Sequence, residues 1–346
     1  MIYVSLRGYA RDVGTRKLIG EMPAGIALSI AAATIAWRMA AMPWNGRLQL
    51  SALTLAIIAG MTVGNMLPAQ RLCRVHAGLR FSQQKLLRAG IVLYGLRLTL
   101  NDVFRIGPRA LALDTIVITS VLAAGYWLGT RVFRLDPDTA LLVSSGSGIC
   151  GAAAVLATDR VIDSESHKVS IAVATVVVFG TTAMFLYPVL YPHTGFSERQ
   201  FGIYTGATVH EVAQVVAAGR AVSLAASDTA VITKMIRVLL LAPVLLLIGR
   251  LRRRESAGKS GISFPWFVVG FGAVIAIQSI FKPPAPLRAA LIELDTVLLA
   301  SAMFALGVGT RWDQLTRAGA RPLLLAASLF GGLIGGGLVL TRLLIR

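Results

Sequence analysis

Residues 169–190 read VSIAVATVVVFGTTAMFLYPVL and contain no charged side chain. An apolar helix of about 20 residues is long enough to cross the hydrocarbon core of a bilayer. Further apolar runs of similar length occupy residues 23–41, 50–67, 110–129, 231–249, 264–281 and 323–345. The sequence therefore predicts an all-α polytopic membrane protein.

Four weaker stretches add to this set, because each interrupts an apolar segment with Gly, Ser, Thr or charged residues. They span residues 86–104, 140–158, 201–218 and 294–310. Together with the strong runs they give about 11 transmembrane helices, with 10 as the alternative count. We expect residues 1–22 to form a cytoplasmic segment and residues 23–346 to form a single transmembrane transporter domain.

The charge pattern is that of a membrane protein. Only 14% of the residues are charged, against roughly 25% in soluble domains. All but three of the 34 Lys and Arg residues lie in loops between apolar runs, so we predict no nucleic-acid partner. With eleven helices, 20 of these residues fall on the side of the N-terminus and 11 on the other side. The positive-inside rule then places the N-terminus in the cytoplasm.

Two internal matches suggest duplication. A shift of 212 residues relates 95–109 to 307–321, and the two copies would point in opposite directions, as in the inverted repeats of secondary transporters. A shift of 60 residues relates 149–157 to 209–217. The eleven-helix count gives this second pair the same orientation. They could form an inverted pair only if one of them is re-entrant.

The stretch SSGSGICGAAA at 144–154 predicts a broken helix. Unwound backbone inside a membrane is tolerated only where it faces protein or a wet cavity. The half-helix that follows would present free N–H groups and a positive dipole end, which suit an anion. We therefore identify Ser145, Gly146, Ser147 and Gly148 as candidate substrate-binding residues. The alternative is close helix packing through small residues.

The stretch TGATVHEVAQVV at 205–216 places His210, Glu211 and Gln214 inside an apolar segment. Ionisable groups at such depth are costly and usually functional. On a helix these three side chains would share one polar stripe, so we predict that they bind the coupling ion. Thr205 and Thr208 are further candidate substrate ligands. The alternative is a buried structural pair.

No metal site is predicted in this stretch. The zinc pattern His-Glu-x-x-His would need a histidine at Gln214.

Basic and acidic residues in four other spans have simpler interpretations. Lys234 and Arg237 are three residues apart on one predicted helix face, and we expect them to bind an anion or to balance Glu211, unless they snorkel to the interface. Arg97, Asp114 and Asp295 are predicted to lie near span ends, with no role in the site.

Four ordered motifs resemble those of the YeiH-type family of bacterial inner-membrane proteins. They are GIVLYGLRL at 90–98, SGICGAAA at 147–154, GATVHEVAQV at 206–215 and KMIRVLLLAP at 234–243. The resemblance runs from about Pro23 to the end of the chain. It implies a sulfate exporter whose fold is similar to that of the cation/proton antiporter and bile-acid symporter superfamily. In that fold, inverted repeats bring two discontinuous helices together so that they cross near the midplane.

These features predict a secondary active transporter of a small anion (sulfate, an organosulfonate or a carboxylate) coupled to H⁺ or Na⁺. The expected partners are the lipid bilayer, the anion, the coupling ion and, as a candidate, a second copy of the chain. We expect no enzyme activity, no cofactor and no metal. Two alternatives remain: an intramembrane serine hydrolase using Ser147 and His210, and a non-catalytic membrane scaffold or sensor.

Overall fold

The structure is a computed structural model that describes residues 15–42, 51–68, 72–251, 266–281, 283–310 and 319–345. Side chains are described from residue 22 onward within these ranges, except that of Ser166. Residues 1–14 of the expected N-terminal segment lie outside the described part, and residues 15–22 already belong to the first helix.

The described chain is all-helical, without any strand in the ranges given above. Its α-helices are α1 (Thr15–Ala40), α2 (Ala52–Met66), α3 (His76–Phe81), α4 (Leu87–Tyr94), α5 (Leu100–Trp127), α6 (Pro137–Gly148), α7 (Ala152–Ile162), α8 (Ser166–Thr194), α9 (Glu198–Thr208), α10 (Val212–Arg220), α11 (Leu224–Leu239), α12 (Leu241–Leu251), α13 (Trp266–Ile280), α14 (Ala285–Gly309) and α15 (Ala320–Leu344).

Six of the described segments are long and apolar enough to cross a membrane. They are Met22–Ala40, Leu100–Val132, His167–Thr194, Leu224–Leu251, Ala285–Gly309 and Ala320–Leu344. Helices α2 and α13 are apolar but shorter. The protein is therefore a multi-pass helical membrane protein, as the apolar runs predicted.

The chain divides into two compact units. Unit 1 comprises residues 1–100 and 267–312, and unit 2 comprises residues 101–266 and 313–346. This division is finer than the single transmembrane domain expected from the sequence.

Unit 1 is held together by close contacts between helix backbones. A Cβ atom at Gly60 on α2 would collide with the carbonyl oxygen of Phe304 on α14, and one at Gly307 would collide with the carbonyl oxygen of Ile57. Small residues allow this approach, which compensates for the lack of a hydrophobic driving force between helices in lipid.

A buried ion pair links two distant parts of unit 1. Arg97 donates from Nε at 2.9 Å and from Nη2 at 2.7 Å to Oδ2 of Asp295, and Nη2 also donates to the carbonyl oxygen of Ile292 at 3.1 Å. The Arg97 side chain is only 14% exposed and that of Asp295 is 1% exposed. The sequence predicted only that both residues lie near span ends, and it did not predict this pairing. Each residue provides the opposite charge that the other needs when buried.

Unit 2 contains a first helical hairpin, hairpin 1, formed by α6 and α7. Gly146 on α6 packs against the side chain of Val155 on α7, so the chain reverses between them. Gly151 permits the reversal because its φ of 73° lies in the left-handed region that favours glycine.

The two ends of hairpin 1 lie close together. Asp136 precedes the hairpin and accepts a hydrogen bond from the N–H of Thr139 at 3.1 Å, which caps α6. Lys168 follows the hairpin and pairs with Asp136 at 3.0 Å. Partial burial raises the pKa of Asp136, but the hydrogen bonds with Thr139 and the Lys168 ammonium outweigh burial and leave the pKa below its ordinary value. The ionised carboxylate thus ties the two ends together.

A second hairpin, hairpin 2, is formed by α9 and α10. Gly202 and Gly206 on α9 pack against Thr229 and Thr233 on α11, so α9 runs parallel to α11. Helix α10 returns along α11, with Gly219 against Ser227. The chain therefore reverses at residues 209–211.

The two hairpins enter unit 2 from opposite ends. The last turn of hairpin 1 lies beside the last turn of α12, where Val161 is next to Gly249. We call this end of unit 2 end A. Hairpin 2 begins beside the ends of α8 and α15, where Gln200 donates to the carbonyl oxygen of Ile345 at 2.7 Å and Arg342 donates to that of Thr194 at 2.7 Å; we call this end B. The break predicted at 144–154 is present and a second break lies at 209–211, but each chain segment turns back at its break and does not continue as one crossing helix.

We predict that Arg97→Ala destabilises the protein by about 3–5 kcal/mol, because it leaves the Asp295 carboxylate buried without its partner. Thermal and denaturant unfolding in detergent would measure this loss. The exposed Arg88, also in unit 1, provides the control, and Arg88→Ala should change stability by less than about 1 kcal/mol. Equal stabilities of the two variants would contradict the structural role given to the pair.

Candidate functional site

The two hairpins meet at their tips, which are residues 149–151 (tip 1) and residues 209–211 (tip 2). Lys234 on α11 joins them, since its Nζ donates to the carbonyl oxygen of Ile149 at 3.0 Å and to that of Val209 at 2.6 Å. The Lys234 side chain is fully buried. One ammonium group therefore bridges the break of one hairpin to the break of the other.

Arg237, one helical turn after Lys234, makes a second bridge. Its Nε donates to the carbonyl oxygen of Gly148 at 3.0 Å. Its Nη1 donates to the carbonyl oxygen of Ala207, and its Nη2 donates to that of Gly148. The planar fork of the guanidinium suits several acceptors at once. Arg237 is also fully buried.

These bonds satisfy the carbonyl ends of α6 and α9. The last carbonyl groups of a helix have no partners within the helix and carry the negative end of its dipole. Inside a membrane, water cannot supply the missing donors. The two cations of α11 provide both the donors and the opposite charge.

The N–H ends of the half-helices meet the carboxylate of Glu211. The N–H of Ala152, at the start of α7, donates to Oε1 of Glu211 at 3.3 Å. Glu211 also caps α10, because its side chain accepts the N–H of Gln214 while its own N–H donates to Oε1 of Gln214 at 3.1 Å. Glu211 and Ala152 are partly accessible and Ala153 is exposed. The accessible part of the tips is thus the place where two positive helix ends meet one carboxylate.

The candidate substrate residues of the first stretch form the last turn of α6. Ser145, Gly146, Ser147 and Gly148 are all buried, and Oγ of Ser145 donates to the carbonyl oxygen of Leu142 at 3.0 Å. The carbonyl groups of Ser147 and Gly148 accept from Arg237, and the free N–H end that we expected for an anion begins only at Ala152.

The candidates of the second stretch are divided between α9, tip 2 and α10. Thr205 and Thr208 are buried in the last turn of α9, and Gln214 lies in the first turn of α10, where it packs against Gly180. His210 is buried with its ring centroid 6.2 Å from that of Phe330. The predicted single helical stripe is wrong, because the helix ends at Thr208 and His210 and Glu211 belong to the tip.

Three features of the site were not found from the sequence. They are the backbone carbonyl acceptors, the positive φ of Gly151 and the burial of Asp114. A Cβ atom at Gly151 would press on the Glu211 side chain, so a glycine is needed where the tips touch. Asp114 is fully buried in the middle of α5. The sequence shows an acid within an apolar run, but we took that run to begin at residue 110, which placed Asp114 near its end. Helix α5 begins ten residues earlier, at Leu100, so Asp114 lies in the middle of the helix.

The hydrolase alternative receives no geometric support. Ser147 and His210 are both buried, and no hydrogen bond joins them in the described part of the chain. A serine nucleophile needs a base within hydrogen-bond reach.

Fold and site together define a multi-pass helical membrane protein whose core is a pair of opposed hairpins joined by buried charges. The family model described as "Conserved hypothetical protein 698" matches residues 24–326. The chain belongs to this family, the UPF0324 or YeiH-type membrane proteins.

Curated relatives are similar in sequence to this chain over almost its whole length. The UPF0324 membrane protein of Pseudomonas aeruginosa is 47% identical over 344 residues, which cover 95% of this chain and 97% of the relative. The UPF0324 inner membrane protein YeiH of Salmonella typhi is 45% identical over 93% of this chain and 94% of the relative. YeiH of Escherichia coli K12 is 46% identical over 90% of this chain and 91% of the relative. No solved structure matches the chain. The resemblance seen in the four motifs is confirmed, and the names of the Salmonella and Escherichia relatives place those two proteins in the inner membrane.

We predict that Arg237→Lys lowers the melting temperature in detergent, because an ammonium group cannot reach the carbonyl groups of both hairpins in the way the fork does. Each carbonyl left without a donor costs about 1–3 kcal/mol. Arg250→Lys makes the same change at the exposed end of α12 and should leave the melting temperature unchanged. Similar melting curves for both variants would contradict the bridging role.

Proposed function

We propose that this protein is a secondary active transporter of a small anion (sulfate, an organosulfonate or a carboxylate) coupled to H⁺ or Na⁺. The observation that carries the proposal is the meeting of two hairpin tips, from opposite ends of unit 2, at a set of buried charges. Irregular backbone at membrane depth is typical of transporter substrate sites, where half-helix ends face the substrate and the coupling ion.

An inverted repeat is part of the proposal, and the helix boundaries support it. Helix α6 ends at Gly148 and α9 at Thr208, while α7 begins at Ala152 and α10 at Val212. The boundaries differ by the shift of 60 found in the sequence. Because both segments are hairpins and enter from opposite ends, the orientation conflict disappears. We infer eleven membrane segments, of which these two are re-entrant.

The shift of 212 has similar support. The boundaries between the two units follow Leu100 and Trp312, which this shift relates. Helices α5 and α15 follow these boundaries and run in opposite directions, since Gly129 and Gly125 pack against Leu325 and Leu329.

We propose that end A faces the cytoplasm. In the described chain, end A carries Arg131, Arg134, Arg160, Lys168, Arg250 and Arg321, and Arg252, Arg253, Arg254 and Lys259 follow α12 in the sequence. End B carries Arg105, Arg109, Arg199, Arg220 and Arg342. The excess of basic residues favours a cytoplasmic end A. With three predicted spans before α5, the N-terminus is then cytoplasmic too.

Glu211 has the position that a transported anion would need. Its carboxylate accepts hydrogen bonds from the first turns of α7 and α10, which are anion-binding ends. When Glu211 binds a proton, its negative charge is lost and these N–H groups become available to the substrate anion. We therefore assign the coupling proton to the Glu211 carboxylate. Gln214 holds the Glu211 residue in position through the hydrogen bond to its backbone N–H.

Glu211→Gln tests this assignment. Glutamine keeps an oxygen that can accept the same N–H groups but cannot exchange a proton, so we expect the variant to fold and to lose transport driven by a pH gradient. Purified protein in proteoliposomes would be assayed for uptake of radiolabelled sulfate, taurine and dicarboxylates across an imposed pH gradient.

Glu198→Gln is the matched control, since Glu198 is exposed at the opposite end of the same hairpin. It should transport like the wild type. Unchanged proton-driven uptake by Glu211→Gln would remove Glu211 from the coupling step, and absence of any anion uptake by the wild type would argue against the transporter proposal itself.

A further inference from the structure

Asp114 is a buried acid that the proposed mechanism does not use. It lies in the middle of α5, fully buried. Neither of its carboxyl oxygens has a hydrogen-bond partner among the residues that the structure describes. A buried carboxylate without donors is unfavourable, and ionisable groups inside membrane segments are usually functional.

The packing of α5 places Asp114 beside the charged core of unit 2. One turn further along α5, Ile118 faces Gly148, whose carbonyl oxygen Arg237 holds. The charged groups that interact electrostatically with Asp114 are Arg237 and Lys234 of α11. From tip 1, the Cys150 thiol interacts electrostatically with the same two cations, and from tip 2 the Glu211 carboxylate interacts with Lys234. Asp114 thus belongs electrostatically to the site.

The charges of this core balance only when both acids are ionised. Lys234 and Arg237 are positive, while Glu211 and Asp114 are negative. Uncompensated charge is costly in a low-dielectric interior. If both acids are protonated, two positive charges remain, and these match a divalent anion.

We propose that Asp114 is a second proton-binding site of the core, so that two protons, one on Glu211 and one on Asp114, accompany each divalent anion. The stoichiometric part of this inference rests on the proposed transport function. The proton-binding part does not, and it can be tested on the protein without any transport.

The first test is infrared difference spectroscopy of the purified protein between acidic and alkaline pH. A band of protonated carboxyl should be lost in Asp114→Asn and kept in Asp102→Asn, which removes an acid from the same helix near its exposed start. Asp114→Glu should shift the band and not abolish it, which identifies Asp114 even if the asparagine variant is unstable. An unchanged band in Asp114→Asn and Asp114→Glu would overturn the proposal.

The second test counts protons taken up per sulfate in proteoliposomes. The wild type and Asp102→Asn should take up two protons, and Asp114→Asn should take up one. The same ratio in all three proteins would overturn the stoichiometry. If the wild type moves no anion, the transport proposal fails, while the infrared result still decides whether Asp114 binds a proton.

Discussion

The hydrogen bonds from Lys234 and Arg237 to the carbonyl groups of Ile149, Val209, Gly148 and Ala207 hold the two hairpins together. A helix that stops inside a membrane leaves carbonyl groups that water cannot reach. Two such ends would be very unfavourable side by side, since both are negative. The cations of α11 resolve both problems, and the two breaks can therefore lie next to each other in the middle of unit 2.

The opposite faces of the same breaks are held by a single acid. Glu211 accepts N–H groups from the starts of α7 and α10, so its charge matters to both hairpins at once. Structure and proposed function depend on the same buried charges. Lys234 and Arg237 are bound to backbone carbonyl groups, whereas Glu211 is partly accessible and can gain or lose a proton. Removing that charge changes the accessible side of the tips and leaves the carbonyl side intact.

Much of the fold could be predicted from the sequence. Five of the apolar runs correspond to helices long enough to cross the membrane, and the other two correspond to the shorter apolar helices α2 and α13. The Gly- and Ser-rich stretch marked the first break, and the His-Glu pair drew attention to the second stretch, although we expected a continuous helix there. The reversal at each break could not be predicted, because a short Ala- and Val-rich half-helix such as α7 has the same composition whether it continues or turns back. The contact between Gly146 and Val155 decides this. Likewise, no local pattern indicates that Lys234 and Arg237 bind backbone carbonyls 25–90 residues away, or that Asp114 lies at mid-helix.

The direct test of the opposed hairpins is the membrane side of their ends. With Cys73 and Cys150 replaced, single cysteines at the exposed residues Arg131, Glu165, Gly195 and Ala221 would be labelled by an impermeant maleimide in membrane vesicles of both orientations. We predict that Arg131→Cys and Glu165→Cys react from one side, and Gly195→Cys and Ala221→Cys from the other. Labelling of positions 131 and 165 from opposite sides would show that residues 137–162 cross the membrane, and would contradict the account.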